Sequence, residues 1–172
     1  LSSSSAASDV YKRQGRRLSL SSGRACAYDA LILATGARAR QLTVPGADLD
    51  GVHALRDLAD AARIKEEMSR ADDVVVIGAG FIGLEFAAVA AKAGINVTVL
   101  ELQPRVMARA ISEPMSAAFE AKHASLGVRL MLGEGVAALT GSNGRVTGVV
   151  TGSGRHLPAD MVVVGIGVLA ED

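Results

Sequence analysis

The chain has 172 residues, enough for one complete domain and part of a second. Almost half of it is apolar (49%), its formal net charge is zero and only 3% is aromatic, which allows a packed core and argues against a nucleic-acid surface or a base-stacking platform. The single Cys26 excludes a disulfide framework or a C-x-x-C pair within these residues and reads as a small apolar filler in a strand. No stretch reads as a membrane span, and the start lacks the basic-then-apolar pattern of a signal peptide, so the expected setting is reducing and cytoplasmic.

Residues 1–14 show no periodicity, belong to no expected element and look foreign to the rest, like translated adapter read-through or a disordered tail. Arg17–Leu20 and Arg24–Tyr28, joined by a Ser-Ser-Gly turn, predict a hairpin. Tyr28-Asp-Ala-Leu-Ile-Leu-Ala-Thr-Gly36 predicts a buried strand ending in a glycine turn. Pro45-Gly46 marks a loop. Asp57 is placed to cap a helix from Leu58 to about Ser69, with Leu58, Ala62 and Ile64 among its inward candidates.

Asp73-Val-Val-Val-Ile-Gly-Ala-Gly-Phe-Ile-Gly-Leu-Glu85 is the stretch that organises the chain. Val74–Ile77 predicts a buried parallel strand, Gly78, Gly80 and Gly83 stand in G-x-G-x-x-G spacing, and Leu84–Lys92 predicts a helix stopped at Gly94. A second strand, Asn96–Leu100, ends on Glu101. Strand, glycine turn, helix, strand and acid together form a dinucleotide fingerprint. Gly78 permits the tight turn, Gly80 lets a pyrophosphate approach the backbone, and Gly83 lets helix pack on strand. The amides at the helix start, in the field of its dipole, would hold the phosphates. Glu101, about 20 residues on, can accept hydrogen bonds from a ribose 2′-OH and would repel a 2′-phosphate, which favours NAD(H). The bland alternatives are a Gly-rich turn without a ligand and an exposed strand-end acid.

Pro104 opens a connection, and Ser112 with Pro114 predicts the start of a helix running to about Leu126, with Glu113 favouring that start. Val128–Leu132 predicts a third parallel strand. A meander follows: Gly135–Thr140, a turn at Gly141–Gly144, Arg145–Val150, a turn at Gly152–Gly154, and His156-Leu157. Met161–Val164 predicts one more buried strand, ending in Gly165-Ile166-Gly167. His53, His123 and His156 are scattered, expected on the surface or in strands, and no metal site is expected. The fold class is therefore α/β: a Rossmann-like domain with a parallel sheet and a β-meander, plus a strip of another domain. Both ends read as cut, as expected of an internal piece of a larger protein.

These motifs resemble the FAD-dependent pyridine-nucleotide oxidoreductases, most closely the ferredoxin reductase branch that serves dioxygenases, cytochrome P450 systems and rubredoxin. The resemblance rests on Tyr28–Arg38, Pro45-Gly46, Val76–Glu85, Glu101–Pro114 and Leu157–Ala170. It implies a tail at 1–14, a partial FAD-binding segment at 15–50 and an NAD-binding domain at 51–172. It implies that Gly78, Gly80, Phe81, Ile82 and Gly83 line NAD, that Glu101 holds the adenosine ribose, and that Gln103 and Arg109 flank the adenosine half. Glu85 and Gly165-Ile166-Gly167 would lie towards the nicotinamide, and Thr35, Gly36 and Arg40 along FAD. For Glu85 the simpler reading is stabilisation of the helix start; for Arg109 it is a surface arginine; for Thr35 and Gly36, a strand-end turn.

NADH would give a hydride to FAD, and electrons would pass to a ferredoxin-like or rubredoxin-like iron–sulfur partner; no side chain is expected to act as acid, base or nucleophile. The family's FAD pyrophosphate motif, its ribitol-binding Asp and its interface domain are absent from the sequence, so the chain alone is expected to bind NADH weakly, FAD hardly at all, and to be inactive. The alternatives are the NAD domain of a nitrite reductase subunit, NADH oxidase or CoA-disulfide reductase, or a non-catalytic nucleotide-binding module. Thioredoxin reductase is disfavoured, since its C-x-x-C would fall within this domain.

Overall fold

The structure, a computed structural model, describes residues 10–12 and 15–171. Two compact units divide between Gly36 and Ala37. The first contains a three-stranded antiparallel sheet of β1 (Val10–Lys12), β2 (Arg17–Ser19) and β3 (Ala25–Ala27). β2 and β3 are the expected hairpin, closed where the Leu20 amide donates to the Arg24 carbonyl at 2.8 Å. β1 corrects the expectation that the tail joins no element: Val10–Lys12 pairs with β2. The remaining tail residues, 1–9 and 13–14, lie outside the described residues. The expected buried strand at Tyr28–Gly36 is not formed. Ile32 is 90% exposed and Leu33 54%, and among the described residues no strand pairs with the segment. An apolar run becomes a parallel strand only between neighbours that take its amides and carbonyls, and here it has none.

The second unit is built on a five-stranded parallel sheet. β5 (Val52–Ala54), β12 (Met161–Val164), β6 (Asp73–Ile77), β7 (Asn96–Glu101) and β8 (Arg129–Leu132) lie in that order. Its central strands carry no polar face because both faces are covered. Val74, Val76, Val97, Val99, Met161 and Val163 pack among residues of α1 (Leu58–Met68) and α2 (Phe81–Lys92), with Phe119 of α3 (Glu113–Ser125) against the same core. Val75, Ile77, Leu100, Val162 and Val164 pack with the meander β9 (Val136–Ser142), β10 (Arg145–Thr151) and β11 (His156–Pro158). A small ladder, β4 (Ala37–Ala39) with β13 (Val168–Ala170), completes the unit.

Within this unit the expected helices and buried strands are present, with informative differences at their edges. β4, β5 and β13 carry no signal in the sequence, being three residues each and flanked by ordinary loop residues. α1 takes its cap from Asp57 as expected, but Leu58 is 86% exposed and Ala62 is exposed too. The buried or half-buried stripe is Ala61, Ile64 and Met68, at helical spacing from Ile64 rather than from Leu58. α2 starts at Phe81, three residues earlier than expected, with Gly80 as its N-cap. Glu85 is therefore in the second turn and exposed, which removes the helix-start role read for it. Ser112 caps α3 by position, without a side-chain hydrogen bond. His123 is neither on the surface nor in a strand: it lies on α3, 5% exposed, with Nδ1 2.8 Å from the Phe119 carbonyl and Nε2 3.0 Å from the Leu84 carbonyl of α2.

Candidate functional site

The strands of a parallel sheet all end on one side, and the loops there form the natural crevice, deepest where neighbouring connections leave in opposite directions. That point lies between β6 and β12. The chain leaves β6 for α2 and β7, and β12 is entered from the meander. The ends of both strands are glycines. Gly78 has φ +102°, and a Cβ there would stand 2.5 Å from the Gly165 carbonyl oxygen. A Cβ on Gly83 would collide with the Gly78 carbonyl oxygen, and one on Gly165 would stand 3.5 Å from the Gly83 amide nitrogen. Three backbone segments thus meet here, with no space for a side chain at Gly78 or Gly83 and only ordinary contact distance at Gly165.

Gly80 differs. Its φ of −81° suits any residue, and a Cβ there would meet nothing within 4 Å. The protein itself makes no demand for glycine at this position. The first bond within α2 runs from the Leu84 amide to the Gly80 carbonyl, which leaves the Phe81, Ile82 and Gly83 amides at the start of the helix. A small open residue beside free helical amides is the arrangement that accepts a phosphate against the backbone.

Glu101 ends β7 beside this turn. One carboxylate oxygen accepts from the Ala79 amide at 2.7 Å and the other from the Gln103 amide at 2.8 Å. A carboxylate offers about four acceptor positions, so a diol can still be bound. The Ala79 carbonyl accepts in turn from the Met107 amide at 2.9 Å. Met107 is buried with φ +48°, unusual for a non-glycine residue. Its loop is knotted by Arg105, which donates to the Ile111 carbonyl and Ser116 Oγ, each at 2.8 Å, and to the Ala108 carbonyl at 2.7 Å. Sequence reasoning missed Ala79, Arg105 and Met107, because their contribution is made by backbone groups and internal bonds.

Gly78, Gly80, Phe81, Ile82, Gly83, Glu101, Gln103, Gly165, Ile166 and Gly167 are thus brought to one end of the sheet. Phe81 is 60% exposed and Ile82 42%, both at that opening. Arg40 joins them, its amide donating to the Gly167 carbonyl at 2.9 Å. Arg109 is exposed on the Met107 loop, and Glu85 is exposed one turn into α2. Thr35 and Gly36 belong to the first unit, exposed and outside any helix or strand. The residues at the turn fit a dinucleotide. A cleft of about 540 Å³ lies at the other end of the sheet, lined in part by Asp50, Arg63, Glu66, Arg70, Arg145 and Asp160. Its arginines are spoken for: Arg63 by Asp60, Arg70 by Glu66, Arg145 by Asp50 and Glu67. That cleft offers a ligand no unpaired guanidinium, and we place no site there. Among the described residues no cluster of His, Cys, Asp and Glu could hold a metal.

The family model for pyridine nucleotide-disulphide oxidoreductases matches residues 3–172. The chain belongs to the pyridine nucleotide-disulphide oxidoreductase family. Within this family it is similar to rhodocoxin reductase of Rhodococcus erythropolis, 50% identical over 157 residues that make up 91% of this chain and 37% of that protein. The structure is similar to a ferredoxin reductase from Rhodopseudomonas palustris, with TM-score 0.85 and 48% identity, covering 91% of this chain and 39% of the other. It is similar too to the reductase in a covalent putidaredoxin reductase–putidaredoxin complex, with TM-score 0.82 and 40% identity, covering 91% and 39%. The likeness is to the ferredoxin reductase branch, as the motifs implied, and the chain spans less than two fifths of the length of these pyridine nucleotide-disulphide oxidoreductases.

Proposed function

We propose that residues 51–172 are an NADH-binding domain. The observation that carries this is Gly80: a cap residue whose missing side chain faces open space beside free helical amides and the Glu101 carboxylate. The Phe81–Gly83 amides would hold the pyrophosphate, Glu101 the adenosine ribose with Gln103 and Arg109 alongside, and Gly165-Ile166-Gly167 with Glu85 the nicotinamide side. Bound NADH supplies a hydride; the protein's part is to orient it and to select it over NADPH by the charge of Glu101.

For the whole protein we propose an FAD-dependent NADH oxidoreductase serving a ferredoxin-like or rubredoxin-like iron–sulfur partner in the cytoplasm. The names of the relatives support this, and residues 15–50, with Thr35, Gly36 and Arg40, would be part of its flavin half. Among the described residues no helix is long and apolar enough to cross a membrane.

Calorimetric titration of the chain with NADH and NADPH tests the domain assignment. NADH is expected to bind more tightly, Gly80→Val to lose it while the chain stays folded, and Glu101→Arg to move the ratio of affinities towards NADPH. Equal NADH affinity in wild type and Gly80→Val would sink the site.

A further inference from the structure

We propose that Glu101 is a positioning residue for the nucleotide turn: its carboxylate fixes the Gly78–Gly83 backbone in shape before any nucleotide arrives. This rests on the NADH reading above and goes beyond the expected ribose contact. The Ala79 amide and the Glu101 carboxylate lie 2.7 Å apart across two different strand ends. Ala79 is fully buried, so its N–H has no water to turn to. Its carbonyl is held from the other side by the Met107 amide at 2.9 Å, so the residue is gripped at both ends of its backbone.

The carboxylate itself stands on fixed backbone. The Leu100 carbonyl accepts from the Gly78 amide at 2.8 Å, and the Glu101 carbonyl accepts from the Glu134 amide at 2.9 Å. Its second oxygen is held by the Gln103 amide at 2.8 Å. Both oxygens of the carboxylate thus accept from backbone amides, one on each side of the acid. The acid is already committed to the turn, and it keeps two acceptor positions for the vicinal hydroxyls of a sugar.

The test separates the two tasks with an NADH analogue whose adenosine ribose lacks both the 2′- and the 3′-hydroxyl, the groups a ribose contact needs. In Glu101→Ala the affinity for this analogue is expected to fall about tenfold, the size of one lost charge-assisted bond to the backbone. Glu101→Gln, which keeps one oxygen for the Ala79 amide but turns its NH2 towards the Gln103 amide, is expected to restore part of it. If the Ala variant does not fold, Glu101→Asp serves in its place, being one methylene too short for the same bond. Unchanged affinity for the deoxy analogue in the Ala or Asp variant overturns the proposal. Amide hydrogen exchange of the nucleotide-free chain gives a readout that needs no ligand. Ala79 is expected to exchange faster in the Ala or Asp variant than in wild type, while Val99 in the sheet is unchanged. Equal exchange at Ala79 overturns the proposal even if the chain binds no NADH, an outcome that would instead remove the domain assignment.

Discussion

A methyl group on Gly83 would collide with the carbonyl oxygen of Gly78, whereas one on Gly80 would meet nothing within 4 Å. The two substitutions should therefore fail in different ways. Gly83→Ala is expected to destabilise the nucleotide-free chain by about 1–3 kcal/mol, since backbone cannot yield as a side chain can. Gly80→Ala is expected to cost less than about 1 kcal/mol as a change of N-cap, while its NADH affinity drops. Urea unfolding midpoints beside NADH titrations decide this; loss of stability in both variants, or in neither, would contradict it. At this scale the sequence was readable where a residue type has one physical use. The spacing of Gly78, Gly80 and Gly83 announced the turn, and Glu101 announced an acid at the end of the next strand. It was unreadable where the work is done by backbone: nothing in the letters Arg105 to Met107 says that a knotted loop presses an amide onto Ala79.

The helices show what a local pattern can and cannot convey. Asp57 was legible as a cap. The Asp60 amide donates to Asp57 Oδ1 at 2.9 Å, and the Arg56 amide donates to Asp60 Oδ2 at 2.9 Å. Asp57→Ala is expected to cost about 1 kcal/mol in urea unfolding at pH 7. Burial pushes the Asp60 carboxyl up, but bonds from the Asp57 amide, Arg63 and the Arg56 amide outweigh it and hold the group below its ordinary 3.8. A carboxyl whose pKa is lowered by folding contributes stability above its unfolded value and loses it as pH falls through the folded one. The gap between wild type and Asp60→Asn is thus expected to be full at pH 7 and to close below about pH 4; a gap that persists at pH 2 would show the carboxylate charge to be irrelevant. His123 was misjudged because a histidine in an amphipathic pattern carries no mark of its partner, and the Leu84 carbonyl is 39 residues away. Its substitution by Leu is expected to cost about 1–3 kcal/mol, by stripping a buried link between α2 and α3. The apolar strands Val74–Ile77 and Met161–Val164 were legible because largely β-branched runs ending at a glycine suit a sheet covered on both faces; β4, β5 and β13 were not, since three residues at an edge owe their pairing to neighbours already in place.

For the molecule as a whole, the contrast is between the sheet of the second unit and the open segment Tyr28–Gly36. Leu31, Ile32 and Leu33 are exposed on backbone that joins no ladder, which is the condition a protease needs. Thermolysin at low dose is expected to cut first within residues 28–36 and to leave a resistant product of residues from about 37 onwards, read by intact mass. First cuts inside β6, β7 or β12 would contradict the fold. The order of the sheet has a consequence of another kind. β5 and β6 follow one another in the chain, yet β12 stands between them, pairing with Val52–Ala54 on one side and Val74–Ile77 on the other. A ribosome delivers the chain from its N-terminus, so the strand that joins the two emerges long after both of them. Until Val164 has cleared the exit tunnel, β6 keeps a bare edge of valines that any other extended chain could occupy. The nascent protein is therefore most in need of chaperone cover between the synthesis of residue 77 and that of residue 164, and a stall within that interval should yield aggregation rather than a stable half-domain.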